Sequence, residues 1–209
     1  MESIETLSRT IQGWRFVSTV PMSGADNMRY DLASLTGIAE RNDQSIFRLF
    51  RFAQPTVSYG RLQKATDIAA HVPPGWAVAQ RPTGGGIVLH DGDLCLSLCW
   101  RKGEGPMPAR PQEQYRWIHS VVAEALAEIV PVRMASCRDL AAPQEPFGVR
   151  NCFRNPVGFD LLDQQKKIVG GALRCTRRAI LYQGSIHAAA TAALEARLWT
   201  LFQARLAAA

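Results

Sequence analysis

The sequence predicts an α+β fold: a mixed, largely antiparallel sheet flanked by helices. Three observations carry this. Residues 94–100 alternate cleanly, with Leu94, Leu96, Leu98 and Trp100 on one face and Cys95, Ser97 and Cys99 on the other. FDLLD, KIVGGALRC and RAILYQGSIH follow one another with only basic or polar turns between them, as successive antiparallel strands do. Three other segments carry apolar residues at helical spacing.

In chain order, residues 27–40 place Met28, Leu32, Leu35 and Ile38 at helical spacing, with Asp26 as the expected cap. SIFRLFRF and PTVSYG read as short strands around Gln54-Pro55. A short helix is expected from Lys64 to His71, closed by Pro73-Pro74, and then a strand, WAVAQR. Gly84, Gly85 and Gly86 follow. A hairpin from WAVAQR into IVLH would use one or two glycines, not three, and three in a row carry a large entropy cost. Something must approach that backbone closely, or the turn needs φ > 0. RKGEGPMPARP is a loop. A helix opens near Pro111, carries Tyr115, Ile118, Val122, Leu126 and Ile129 on one face, and stops by Pro131. From Ala188 onward, Leu194, Leu198, Leu201 and Phe202 share a helical face. With no repeat and no linker, residues 1–209 are expected to form one domain without an accessory domain.

Composition narrows the class. A hydrophobic content of 47% with 20% charged residues supports a sizeable buried core in 209 residues. The first residues lack a cationic segment followed by an apolar run, so no signal peptide is expected. No run reaches the roughly 18 apolar residues of a membrane span. Five cysteines at irregular spacing argue against a disulfide framework and for a reducing cytoplasm. The net charge of +6 favours an acidic partner, whether nucleic acid, an acidic protein or a phosphate-bearing small molecule. The densest cationic cluster is only Arg174, Arg177 and Arg178, too sparse to make nucleic acid the expected partner.

Among the residues able to do chemistry, the glycine turn is not a Walker loop, which needs a Gly-Lys-Ser/Thr ending where Ile87 follows, and it does not match the G-x-G-x-x-G dinucleotide fingerprint either. It is flanked by Arg81 and His90. Lys167 stands before a strand weakened by Gly170-Gly171, and could hold a carbonyl or phosphoryl oxygen as a point charge. Cys152 lies in a polar, proline-containing loop between Arg150 and Arg154, surroundings suited to a thiolate nucleophile. Cys95 and Cys99 read as core residues; their C-x3-C spacing lacks a second ligand pair, so no metal site is expected. Cys137 and Cys175 carry no constellation. His71 and His119 fall on helices and read as structural, whereas His187 follows the last strand.

Three segments together resemble one family. RPTGGGIVLHDGDL resembles the R-x-[ST]-G-G-G-x-V-x-H segment of the lipoate–protein ligases and octanoyltransferases, within the biotin/lipoate protein ligase superfamily. PTVSYGRLQ resembles their T-V-x-x-G-x-x-Q segment. KKIVGGALRCTRRAILYQGSI resembles their K-[IV]-x-G-x-A strand pair with its late G-[ST] element. The similarity runs over roughly residues 14–187. The chain departs from the family pattern at Gln80, often arginine there. It also departs at NMRYDL, where M-A-x-D is common, and at Gly171-Ala172, which lacks the usual polar middle residue.

The resemblance implies the fold of the biotin/lipoate ligase catalytic domain and an acyl-binding site built from Arg81, Thr83, Gly84, Gly85, Gly86, His90, Gly170, Gly171 and Ala172. Lys167 would contact the acyl carbonyl region. Cys152-Phe153, some 15 residues before that lysine, matches the cysteine-dependent octanoyltransferases. These take an octanoyl group from an acyl carrier protein as a Cys152 thioester. They pass it to a lysine of a lipoyl domain, such as a glycine-cleavage H protein or a 2-oxoacid dehydrogenase E2, with no cofactor. Two alternatives stay open. One is a ligase using ATP and Mg²⁺ through a lipoyl-adenylate. The other is a lipoyl- or biotin-binding module without catalysis.

Overall fold

In the computed structural model, which describes residues 4–140, 149–189 and 191–207, the chain opens on a hairpin that its apolar pattern does not announce. The termini of the single-domain expectation, residues 1–3 and 208–209, lie outside the described residues. Strands β1 (Glu5–Ile11) and β2 (Trp14–Thr19) turn at Gln12-Gly13, whose φ values of 45° and 80° are those of a two-residue hairpin turn with both centres left-handed. β1 is mostly exposed and polar, so periodicity does not reveal it.

Helix α1 (Gly24–Glu40) is capped by Ser23, whose hydroxyl accepts from the Asp26 N–H. This corrects the expected cap: Asp26 lies in the first turn, where its charge suits the helix dipole. After β3 (Ser45–Phe50) and β4 (Thr56–Tyr59) comes the short helix α2 (Ala65–Ile68), which continues as a 3-10 turn over Ala69–His71. Strands β5 (Ala77–Gln80), β6 (Val88–His90) and β7 (Leu94–Arg101) lead to α3 (Pro111–Leu126). That helix ends before Ile129, whose N–H folds back onto Leu126 O. β8 (Arg133–Met134), β9 (Leu161–Asp163), β10 (Lys166–Cys175), β11 (Ala179–Ile186) and α4 (Ala192–Ala207) complete the order. No helix among the described residues is long and apolar enough to cross a membrane.

The main sheet runs β1-β2-β3-β7-β11-β10-β9-β8, antiparallel throughout except for the parallel pair β2–β3. The alternation of β7 now has its reason. Leu94, Leu96, Leu98 and Trp100 face α3 and α4 in the largest core cluster, which also holds Ile118, Val122, Leu198 and Phe202. Cys99 faces Leu35 and Ile38 of α1, and Cys95 faces Met28. Both faces of the sheet are covered, so its central strands are buried throughout. A second sheet, β5-β4-β6, stands beside it. β5 and β6 do not form the simple hairpin considered from the sequence, because β4 lies between them, parallel to β5 and antiparallel to β6.

A charge pair lies inside this framework. Arg48 of β3 is 0% exposed and Asp31 of α1 is 1% exposed; they meet at 2.9 Å. The guanidinium lies between the rings of Tyr30 and Phe50, 4.3 and 4.2 Å from their centroids. Asp31 also accepts from Ser97 Oγ and Gln183 Nε2. On the other face His119, fully buried, bridges Phe159 O (2.7 Å) and Tyr182 Oη (2.8 Å). Burial, with the Lys167 charge adding to it, pulls His119 down to about 3 against the bond to Phe159.

Removing one partner of a buried ion pair leaves the other charge uncompensated. Asp31→Ala is therefore expected to lower the unfolding free energy by about 3–5 kcal/mol in urea titrations. His119 gives a pH signature. Its folded-state pKa is depressed, so the unfolded chain takes up a proton the folded chain refuses. The stabilisation is complete above about pH 6.5 and is lost as pH falls from there toward 3, at about 1.4 kcal/mol per unit. Between pH 7 and 5 the parent should lose about 2 kcal/mol that His119→Gln does not lose.

Candidate active site

Close backbone crossings, not turn geometry alone, explain the glycines. A Cβ on Gly86 would lie 1.9 Å from Arg150 O, and one on Gly60 would lie 2.1 Å from Gly85 O. Gly85 adopts φ +91°, which side chains rarely tolerate. Of the three turn glycines, only Gly84 has open space around it. At Gly86 the turn meets the loop carrying the cysteine: Ile87 N–H donates to Arg150 O (2.7 Å) and Cys152 N–H donates to Ile87 O (3.0 Å). Cys152 is thereby held with its Sγ 2.9 Å from the Gly86 N–H, which donates to it.

Arg81 fixes the turn from behind. Its guanidinium donates to Ser58 Oγ (2.7 Å), Gly84 O (3.1 Å) and Gly86 O (2.6 Å). Burial pulls its pKa below the ordinary arginine range, partly offset by the nearby sulfurs of Cys152 and Cys95. A Cβ at Gly85 would lie 3.3 Å from both this guanidinium and the Cys152 sulfur, so cation and thiol flank one small space. Thr83 Oγ1 donates to Gln183 Oε1 (2.7 Å), and Gln183 in turn donates to Asp31, tying the turn to the core ion pair.

Lys167 is buried beside the same loop. Its Nζ donates to Cys152 O (3.0 Å) and pairs with Asp160 Oδ2 (2.8 Å), 5.1 Å from the centre of the Phe153 ring. Asp160 also accepts from Tyr115 Oη and the Val157 N–H. Burial and the Asp160 charge push Tyr115 far above its usual range, so it stays a hydroxyl. The diglycine now has a concrete cause. A Cβ on Gly170 would strike Lys167 Cε at 2.1 Å, and one on Gly171 would strike the Tyr182 ring at 2.5 Å. The close approach at these two glycines is made by the chain's own side chains.

His90 bonds Ser58 Oγ through Nε2 (2.7 Å) and Asp93 Oδ2 through Nδ1 (2.8 Å), and stacks on Phe52 at 4.1 Å. Burial alone would raise Asp93. The hydrogen bond and charge of His90, the Ser185 hydroxyl and His187 outweigh it and hold Asp93 at about 2. The ligand atoms of His90, Asp93 and Cys95 lie within 4.8 Å of one another. In this arrangement they bond each other, with the Cys95 thiol and the imidazole both directed at Asp93 Oδ2.

These groups surround one cavity. Its apolar wall is Met28, Phe50, Phe52, Val88, Cys95 and Phe153; its polar wall includes Arg81, His90, Cys152, Lys167 and Gln183. Of the residues singled out by sequence, Arg81, His90, Cys152, Lys167, Gly170, Gly171 and Ala172 come together here. Thr83, Gly84, Gly85 and Gly86 stand behind the lining as its frame. Sequence reasoning missed Asp160, Tyr115, Asp93, Ser58 and Gln183. Asp93 lay within the quoted HDGD, but nothing local marks a carboxylate whose partner comes from another strand.

A family model described as the lipoyl protein ligase A/B catalytic domain matches residues 23–196. Octanoyltransferase LipM of Kyrpidia tusciae is 31% identical, the match covering 84% of this chain and 66% of that protein. The LipM of Staphylococcus aureus is 29% identical over 83% of this chain and 65% of its own. The chain thus spans just under two thirds of the length of these relatives. Among solved structures, lipoate-protein ligase A bound with ATP matches with a TM-score of 0.64 at 19% identity, covering 94% of this chain and 86% of that one. A bi-partite lipoate protein ligase from Thermoplasma acidophilum gives 0.62 at 17%, covering 94% and 84%. At these identities the shared property is the fold.

The crossing at Gly86 makes a sharp prediction. Gly86→Ala must push the 150–152 backbone away, at about 1–3 kcal/mol of stability. Amide exchange at Cys152, protected by Ile87 O, should speed up markedly while the amides of β7 stay protected.

Proposed function

The chain belongs to the lipoyl protein ligase A/B catalytic-domain family, and from that premise we propose that it is an acyltransferase. It would move an octanoyl group from an acyl carrier protein, through a thioester on Cys152, to a lysine of a lipoyl domain. One observation carries this reading: the Cys152 sulfur faces an apolar cavity, with a backbone donor aimed at it and a buried ammonium on its own carbonyl. That the relatives are named octanoyltransferases supports it.

The chemistry follows in two displacements. The Cys152 thiolate attacks the carrier thioester; its C–S bond breaks as the new one forms, and the carrier thiol leaves with the proton that Cys152 gave up. The acceptor lysine's neutral amine then attacks the acyl-enzyme, forming an amide and returning the thiol. Thioester to amide is downhill, so neither ATP nor another cofactor is required. The apolar wall takes the tail. About 6 buried CH₂ groups at ~0.8 kcal/mol each contribute about 5 kcal/mol, enough to sense chain length.

Not every donor beside the cavity is free for a developing oxyanion. The Gly171 N–H is already spent on Tyr115 Oη (2.9 Å). Lys167 spends two of its three hydrogens on Asp160 and Cys152 O, and its third is left for the developing oxyanion. Asp160 and Tyr115 act through Lys167 as positioning residues. His90, bonded at both nitrogens, orients Ser58 and the Arg81 clamp.

Mixing the protein with octanoyl carrier protein, without ATP, should add one octanoyl mass to the chain, and Cys152→Ser should abolish transfer to a lipoyl domain. If Cys152→Ser transfers as fast as the parent, the thioester route is wrong. Pyrophosphate release from ATP with free octanoate, undiminished in Cys152→Ala, would instead establish adenylate chemistry.

A further inference from the structure

We propose that the arginine-lined face beside α1 is the docking surface for the acidic acyl-carrying donor, distinct from where the acceptor domain sits; this rests on the acyl-transfer reading above. Two shallow grooves run along the outer flank of α1 and share Leu32 and Arg174. Arg61, Arg174, Arg177 and Arg178 line them, and no carboxylate among the described residues forms an ion pair with any of the four. Arg29, also on the rim, is paired with Asp26, and Glu40 is the acid that lines the first groove. Among these cations lie two exposed apolar side chains, Leu32 (42%) and Val78 (44%). A cationic rim around a small apolar centre complements a protein surface with acidic residues around an apolar patch. Among the described residues, Arg61, Arg177 and Arg178 enter no ion pair that would account for their charges.

Position identifies which substrate the surface serves. Arg174 Nη1 donates to Pro82 O (3.2 Å), just ahead of the glycine turn, and the second groove shares Met28 and Arg81 with the cavity wall. Along β10, Arg174 lies three residues from Gly171, which lines the cavity. At about 3.3 Å per residue the face begins about 10 Å from the acyl site. An acceptor delivering a four-methylene lysine must sit directly over Cys152. A carrier that hands in its acyl group on a long phosphopantetheine arm can sit to the side, its phosphodiester meeting the same arginines.

The test is the triple variant Arg61→Glu, Arg177→Glu, Arg178→Glu, with three reactions on each protein. Acylation of Cys152 by octanoyl carrier protein should fall in kcat/KM by about 10- to 100-fold at low salt and lose most of its salt dependence. Acylation by octanoyl-pantetheine, a thioester without a protein body, should be unchanged, which also shows the variant is folded. Octanoyl transfer from pre-acylated enzyme to a lipoyl domain should be unchanged. Carrier loading equal to the parent's overturns the proposal. So does a loss confined to the transfer step, which assigns the face to the acceptor. If octanoyl carrier protein leaves Cys152 of the parent unmodified, the acyl-transfer reading itself fails, and the docking assignment falls with it.

Discussion

Everything at the site depends on two backbones crossing at Gly86. The glycine turn meets the 150–152 segment there with no side chain between them, and the two strands exchange the hydrogen bonds Ile87 N–H to Arg150 O and Cys152 N–H to Ile87 O. Each such bond contributes only about 1 kcal/mol net, but a buried donor left without its partner costs more. The crossing therefore specifies one position for the cysteine more strongly than it stabilises the fold. Gly60 extends the arrangement by letting the end of β4 lie against Gly85 O, and Arg81 fastens the turn by two of its carbonyls. Three layers of chain thus stand behind one sulfur atom.

Rigidity comes from polar groups that are buried and paired. One line runs from Arg48 through Asp31 and Gln183 to Thr83 at the turn. A second runs from Tyr115 through Asp160 to Lys167 and ends on the Cys152 carbonyl. A third links Arg81, Ser58, His90 and Asp93. None is a surface contact that salt would screen. Each holds a group near the cavity through buried hydrogen bonds and ion pairs, so losing one member leaves a desolvated partner behind. The two helices on the far face of the sheet supply the apolar burial that makes these polar lines affordable.

The centre of the sheet was legible because both of its faces are buried and its alternation is strict, as in residues 94–100. Strands β9, β10 and β11 were legible from the basic or polar turns between them, and the three long helices from apolar residues at helical spacing. What stayed hidden was what periodicity does not encode. The β1–β2 hairpin is polar and exposed, and its Gln12-Gly13 turn is not among the strongest turn signals. The cap of α1 was misread because Ser23 and Asp26 are both good caps, and only geometry shows which oxygen accepts from the backbone. The glycines announced close approach correctly, but not by what: Gly86 faces Arg150, Gly170 faces Lys167 and Gly171 faces Tyr182. Asp160 and Asp93 were invisible because part of the set that fixes each carboxylate, Tyr115 for one and Ser185 for the other, comes from a distant part of the chain.

The central claim, that the sulfur held at this crossing carries the acyl group, is tested most directly by rapid-quench kinetics with octanoyl carrier protein and a lipoyl domain together. The account predicts an octanoyl thioester on Cys152 that forms and decays at least as fast as octanoyl-lysine accumulates. A thioester that forms more slowly than product, or an acyl group found on some other residue, would contradict it.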